Sequence, residues 1–170
     1  ETLDHFGLSA GIKWPNDIVI PCRQKKVNLK KIGGVLVEQK SRGDVAPAHI
    51  MGMGLNINQT AEELPKTSPL PSTSMRIELN GRDINRQKII KRLLERLDYW
   101  YGKLKLGHRE ALLARWRTLS CLLDKDLQVN YAGEKFAGTV IGLKASGQLI
   151  MQTSNGKTRL LSPEKTQLLI

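Results

Sequence analysis

The chain has 170 residues, of which 40% are hydrophobic and 25% charged, a composition typical of folded globular proteins. It contains no apolar run near the ~20 residues of a membrane span and no basic region followed by a signal-peptide core, so we expect a cytoplasmic protein without a membrane partner. The formal net charge of +11 favours anionic ligands. Aromatic side chains for base stacking are few, however, which argues against nucleic acid as the main partner.

The first elements in chain order are predicted to be strands. Residues 12–20 carry β-branched side chains on both sides of a Trp-Pro-Asn-Asp segment at 14–17, where proline stops any helix. This pattern predicts a strand, a turn and a second strand. The stretch from Pro21 to Lys30 is polar, basic and without periodicity, and it predicts a loop.

Two further strands are predicted at 32–38 and 48–56. The second is rich in methionine and glycine, which is typical of a strand whose backbone must lie close to another group. Proline, threonine and serine dominate residues 59–74, so we expect an extended loop there.

The strongest helical pattern follows this loop. Apolar residues recur at i, i+3 and i+4 spacing from Ile84 to Tyr101, with Asp83 or Asn85 placed to cap the start and Gly102 near the end. A second helix is predicted from about 108 to 118. We expect both helices to cover a face of the sheet.

The last fifty residues predict a different architecture. Short alternating strands are separated by three glycine-containing turns of the hairpin type, a pattern that favours a small SH3-like β-barrel. The fold class is therefore α+β, with a mixed or antiparallel sheet covered by helices and then the barrel. The predicted domains are 1–120 and 121–170, and the barrel strands are 127–131, 135–141, 148–152 and 158–161.

Three segments carry the chemistry. They are Gly11 to Asp17, Lys30 to Glu38 and Met51 to Asn58, and each contains glycine together with lysine or an amide at the end of an apolar stretch. Each segment alone is weak, because tight turns and bulges use the same residues. Together, at the ends of consecutive strands of one sheet, they predict a binding site for a small anionic ligand.

Lysine and glycine suit such a ligand for different reasons. Lys31 enters a strand and can project its ammonium group onto a carboxylate or a phosphate, whereas Gly34 leaves room for a flat group against the backbone. The alternatives are a solvated lysine before a β-bulge and a role for the adjacent Lys30. The Asn16 and Asp17 side chains either satisfy turn amides or bind a nucleotide and its metal ion.

In chain order, the three segments resemble the biotin protein ligases, also called biotin–acetyl-CoA-carboxylase ligases. The resemblance comprises a Lys-Trp-Pro-Asn-Asp turn at 13–17, a Lys-x-x-Gly-x-Leu-x-Glu strand at 31–38 and a Gly-x-Gly-x-Asn strand end at 52–56. It implies the C-terminal part of a catalytic domain of the class II synthetase-like type, followed by an SH3-like domain, which agrees with the periodicity.

The resemblance also implies a two-step reaction. Biotin and ATP give biotinyl-5′-adenylate and pyrophosphate, and the acyl group then passes to a lysine of a biotin carboxyl carrier protein. Biotin, ATP and Mg²⁺ would be the ligands. By resemblance, Lys31 is catalytic; biotin is bound by Lys31, Gly34, Gly52 and Gly54; adenylate is bound by Lys13, Asn16, Asp17 and Asn56; and Asp17 is a metal ligand.

The chain departs from the family's pattern, above all in one segment that bears on activity. The family's glycine- and arginine-rich segment, of the type Gly-Arg-Gly-Arg, is absent from these 170 residues. We therefore expect a fragment that makes no biotinyl-adenylate alone. The alternatives are a non-catalytic paralogue that binds biotin or the acceptor, and a basic nucleic-acid-binding module. The sequence leaves open homodimer formation and the identity of the acceptor carboxylase.

Overall fold

The computed structural model describes residues 1–21, 29–42 and 45–169. The chain divides into two compact units, one comprising Glu1–Gly11 and Asn16–Lys91 and the other Ile12–Pro15 and Arg92–Ile170. Most of the loop predicted from Pro21 to Lys30 lies outside the described residues. The predicted domain boundary at residue 120 stays a prediction.

The first unit is built around a sheet of long antiparallel strands. Strand β2 (Asp17–Pro21) pairs with β3 (Leu29–Arg42), and β3 pairs with β4 (Val45–Leu55). Pro21 ends β2 and pairs with Leu29, where β3 begins, so the prediction of a loop was wrong for Pro21, Leu29 and Lys30. The other elements in this part of the chain are α1 (Thr2–His5), β1 (Gly11–Lys13) and α2 (Met75–Glu78).

One face of this sheet carries the core of the first unit. Ile32 and Met75 are completely buried, and Ile20 and Ile89 join them in the same cluster. Because successive residues of a strand point to opposite faces, burial of Ile32 directs the side chain of Lys31 away from this core. The sheet thus places its lysine where a ligand can reach it.

The second unit contains a five-stranded antiparallel sheet. Its core includes Trp14, Val129, Val140 and Met151. In the order in which they pair, its strands are β8 (Thr158–Leu161), β7 (Leu149–Thr153), β6 (Glu134–Leu143), β5 (Asp126–Tyr131) and β9 (Thr166–Leu169). The four predicted strands are all present, and β9 was missed. Pairing that would close a barrel is not seen among residues 1–21, 29–42 and 45–169, so the SH3-like closure stays a prediction. A 3-10 turn at Pro163–Lys165 lies between β8 and β9.

The predicted helices are confirmed with shifted ends. Helix α3 spans Arg86–Lys105 and α4 spans Arg109–Leu119. The Asn85 side chain accepts hydrogen bonds from the amides of residues 87 and 88, so Asn85 is the cap, and α3 continues through Gly102 rather than ending there.

The expectation that α3 covers a sheet face was wrong for much of its apolar stripe. Ile90, Leu94 and Tyr101 are each more than half exposed, and Ile89 is the buried residue of this helix. In the part of the chain that the structure describes, no helix combines the length and apolar character needed to cross a membrane.

Candidate functional site

A cavity of about 790 Å³ opens in the first unit, at the strand segments that the sequence analysis singled out. It combines bare backbone, one ammonium group and two side-chain amides, which suits an elongated ligand with a negative charge. Six of the eight predicted site residues line it, namely Asn16, Lys31, Gly34, Gly52, Gly54 and Asn56.

The two adjacent lysines at the start of β3 have different partners. Lys31 Nζ lies 2.5 Å from Asp17 Oδ1 and Lys31 lines the cavity, whereas Lys30 Nζ lies 3.1 Å from Glu78 Oε1. Glu78 also accepts a 2.6 Å hydrogen bond from the Thr73 hydroxyl. The structure therefore distinguishes the two lysines, and it is Lys31 that faces the ligand space.

The glycines of the site differ in what their missing side chains make room for. A Cβ on Gly33 would lie 2.4 Å from the carbonyl oxygen of Gly54, so this glycine is required by strand pairing. A Cβ on Gly34 would lie 3.6 Å from Lys31 Cε and 3.3 Å from the Asn16 carbonyl. At Gly54 a Cβ would meet nothing within 4 Å, so a side chain there would project into open space.

Asn56 is fixed by its own hydrogen bonds. Its Nδ2 donates to the carbonyl of Thr73 at 2.9 Å, and its backbone amide donates to the carbonyl of Ile32 at 2.8 Å. This anchoring holds the amide group at the cavity wall, and it uses one of the two N–H groups of the side-chain amide while leaving its oxygen as an acceptor.

The two remaining predicted residues are placed differently. Asp17 is in the site through its ion pair with Lys31, and its side chain is only 14% exposed. Lys13 lies in β1 and belongs to the second unit. Its contribution to adenylate binding stays a prediction.

One wall of the cavity was not predicted. The Pro-, Ser- and Thr-rich segment was expected to be an extended loop, yet it runs against β3, where Lys31 N donates to the Pro71 carbonyl and Thr73 N donates to the Lys31 carbonyl, both at 2.8 Å. Composition marked the segment as irregular but gave no sign of what it would contact. It contributes Pro65, Thr67, Ser68 and Ser72 to the lining.

The donor set does not fit a magnesium ion held by the protein alone. Magnesium is usually bound by one or two carboxylates together with substrate phosphates. Here Asp17, the carboxylate that was predicted to bind the metal ion, is already paired with the ammonium group of Lys31. Across the described ranges, no group of three or more histidine, cysteine or acidic residues is placed to hold a metal ion.

All eight predicted site residues fall within residues 6–58, the stretch that matches the family model described as "Biotin/lipoate A/B protein ligase family". In this stretch the chain is similar to the biotin and lipoate protein ligases. Among sequence relatives, the bifunctional ligase/repressor BirA of Bacillus subtilis (strain 168) is 25% identical over 158 residues, covering 93% of this chain and 46% of the relative. The biotin--[acetyl-CoA-carboxylase] ligase of Mycobacterium tuberculosis is 25% identical over 153 residues, 89% of this chain and 50% of that protein.

Solved structures of biotin protein ligases show the same fold. The crystal structure of the Aquifex aeolicus biotin protein ligase aligns with a TM-score of 0.77 at 23% identity, covering 98% of this chain and 68% of that one. The same enzyme in complex with biotin and ATP aligns with a TM-score of 0.76 at 24% identity, covering 98% and 65%. The chain is thus mixed α+β with antiparallel sheets, as in these solved structures, and it spans about half the length of the curated relatives it matches.

Proposed function

We propose that this chain carries the biotinyl-adenylate-binding part of a biotin--[biotin carboxyl carrier protein] ligase. The observation that carries the proposal is the convergence of three separate segments, through Asn16, Lys31, Gly34, Gly54 and Asn56, on one cavity. A solvated lysine or an isolated turn would not place these groups around a common space.

The chemistry assigned to each group follows from its position. The Lys31 ammonium lies beside the bare backbone of Gly34, where it would meet the carboxylate of biotin and later the phosphate of the adenylate. Gly52 and Gly54 leave room for the acyl chain against β4, and the anchored amide of Asn56 would face the adenine. Positioning and charge neutralisation suffice for this reaction, because the transferred group is attacked by the acceptor lysine rather than by a protein nucleophile.

The relatives support the choice of ligands. A biotin protein ligase of the same fold has been solved with biotin and ATP, and a sequence relative is named for biotin transfer to acetyl-CoA carboxylase. We accordingly assign biotin and ATP as substrates and a biotin carboxyl carrier protein as the acceptor. Magnesium would enter with the nucleotide phosphates. Four features stay predictions. They are the SH3-like character of the second unit, a cytoplasmic location, homodimer formation and the expectation that nucleic acid is not a main partner.

Calorimetry tests the binding function directly. The chain should bind a non-hydrolysable biotinyl-adenylate analogue more tightly than biotin, and Lys31→Met should weaken the analogue by at least tenfold, whereas Lys30→Met should change it less than twofold. Equal affinity for analogue and biotin would contradict an adenylate site. Binding of single-stranded nucleic acid that falls steeply with salt, without any binding of the analogue, would favour the nucleic-acid alternative.

The expectation that residues 1–170 alone make no biotinyl-adenylate is tested separately. Pyrophosphate release that depends on both biotin and ATP would overturn that expectation while leaving the binding proposal intact. If calorimetry detected no binding of the biotinyl-adenylate analogue, the binding proposal would be overturned and the expectation about synthesis would stand.

A further inference from the structure

The ion pair between Lys31 and Asp17 suggests a role for Asp17 that differs from metal binding. The two charged atoms lie 2.5 Å apart, and Asp17 is 14% exposed against 38% for Lys31. A carboxylate so close to a cavity that takes anions would repel the ligand unless its charge were neutralised. Lys31 supplies that neutralisation within the protein itself.

The surroundings of Lys31 leave only its side chain free to move. Its backbone amide and carbonyl are both bonded to the 71–73 segment, and its Cα is in register with Val19 of β2. A lysine side chain still has four rotatable bonds beyond this fixed backbone, and holding it in one arrangement costs conformational entropy. Asp17 is the group that holds it.

The place at which the ammonium is held is defined by Gly34. Asp17 and Gly34 are register partners on neighbouring strands, and a Cβ on Gly34 would lie 3.7 Å from Lys31 Nζ. The carboxylate, the ammonium and the bare backbone thus form one group at the cavity wall.

We propose that Asp17 is the positioning residue for Lys31: its carboxylate holds the ammonium beside Gly34 before the ligand arrives, so that the cation is already where the acyl phosphate will lie. The inference rests on the proposed function for its ligand, but the pre-organisation itself is a property of the free protein. Asp17 then contributes to binding only through Lys31.

A double-mutant cycle tests this dependence. Affinity for the non-hydrolysable biotinyl-adenylate analogue is measured by calorimetry in EDTA for the wild type, Asp17→Asn, Lys31→Met and the double variant. We expect Asp17→Asn to weaken binding about tenfold in the wild-type background and less than twofold in the Lys31→Met background. An equal loss in both backgrounds would show that Asp17 acts on the ligand directly, and tighter binding by Asp17→Asn would show that it competes with the ligand; either result overturns the proposal.

The free protein provides a readout that does not need the ligand. In ¹⁵N spectra of the lysine ammonium groups, the Lys31 signal should be visible in the wild type, because a bonded ammonium exchanges its protons slowly, and should vanish in Asp17→Asn. The Lys30 signal, which depends on Glu78, should persist in both. Asp83→Asn, which removes an exposed carboxylate paired with Arg76, is the matched charge control. An unchanged Lys31 signal in Asp17→Asn overturns the positioning role even if the analogue does not bind at all, and in that case the proposed function fails separately.

Discussion

Gly33 and Gly54 lie so close across β3 and β4 that a Cβ on Gly33 would be 2.4 Å from the Gly54 carbonyl oxygen. The approach is between backbones, so no side-chain rearrangement relieves it. Strand pairing and the shape of the cavity wall therefore depend on the same pair of glycines.

Substitution of these glycines should separate folding from binding. Gly33→Ala should lower the free energy of unfolding by about 2 kcal/mol, within the range for overpacking, because the methyl group collides with a carbonyl of the sheet. The Cβ of Gly54→Ala would meet nothing within 4 Å. Its free energy of unfolding should therefore lie within about 0.5 kcal/mol of the wild-type value. Urea denaturation measures both values.

The same two variants should rank differently in ligand binding. Gly54→Ala places its methyl group in the cavity and should weaken the biotinyl-adenylate analogue by at least tenfold in calorimetry, despite its normal stability. If Gly54→Ala bound normally, the ligand would not lie against β4.

The Lys30 pair should matter to stability and not to binding. Lys30→Met breaks the contact with Glu78, which retains its hydrogen bond from Thr73, so we expect a loss of at most about 1 kcal/mol for this partly exposed pair. Thermal unfolding of Lys30→Met, compared with that of Lys31→Met, measures this loss of stability. A loss of binding in Lys30→Met equal to that in Lys31→Met would contradict the distinction between the two lysines.

Trp14 should be a stability residue of the second unit. It is 2% exposed, lies in the cluster with Val129 and Val140, and donates from Nε1 to the Gly147 carbonyl at 2.9 Å. Trp14→Phe leaves that carbonyl without its donor and should cost about 1–3 kcal/mol in chemical denaturation. Leu106→Ala, at a side chain 74% exposed, is the control and should change little. A neutral Trp14→Phe would mean that the hydrogen bond adds nothing.

The Glu134–Arg159 pair should give stability a pH dependence of known sign. The hydrogen bond from Arg159 holds the pKa of Glu134 below its ordinary value of 4.5. A carboxyl whose pKa is lowered on folding stabilises the protein above its unfolded pKa and loses that effect as the pH falls through the folded pKa.

Melting temperatures should show this window. Glu134→Gln should melt below the wild type at pH 7, and the difference should shrink below about pH 4.5 and disappear once the wild-type carboxyl is protonated. Because the pair is exposed, the effect should also diminish at high salt. A difference that grew on acidification would contradict the assignment.

The sequence by itself predicted the order of elements, a family resemblance and a set of residues that lie largely around one cavity. β-branched runs, proline and glycine turns are local signals, and they correctly located β1 to β8 and both long helices. Three short motifs, taken together and in their chain order, were enough to name six residues that line one cavity, although each motif alone could have been a turn or a bulge.

Only the tertiary structure decided which partners these residues meet. The different partners of Lys30 and Lys31 and the wall formed by Thr67, Ser68 and Ser72 depend on contacts between residues distant in the chain. The exposure of Ile90 on α3 is of the same kind, because helical periodicity records which residues share a face but not whether another element covers it. Local propensity acts over a few residues, whereas a binding site is set by the pairing of strands that the sequence keeps apart.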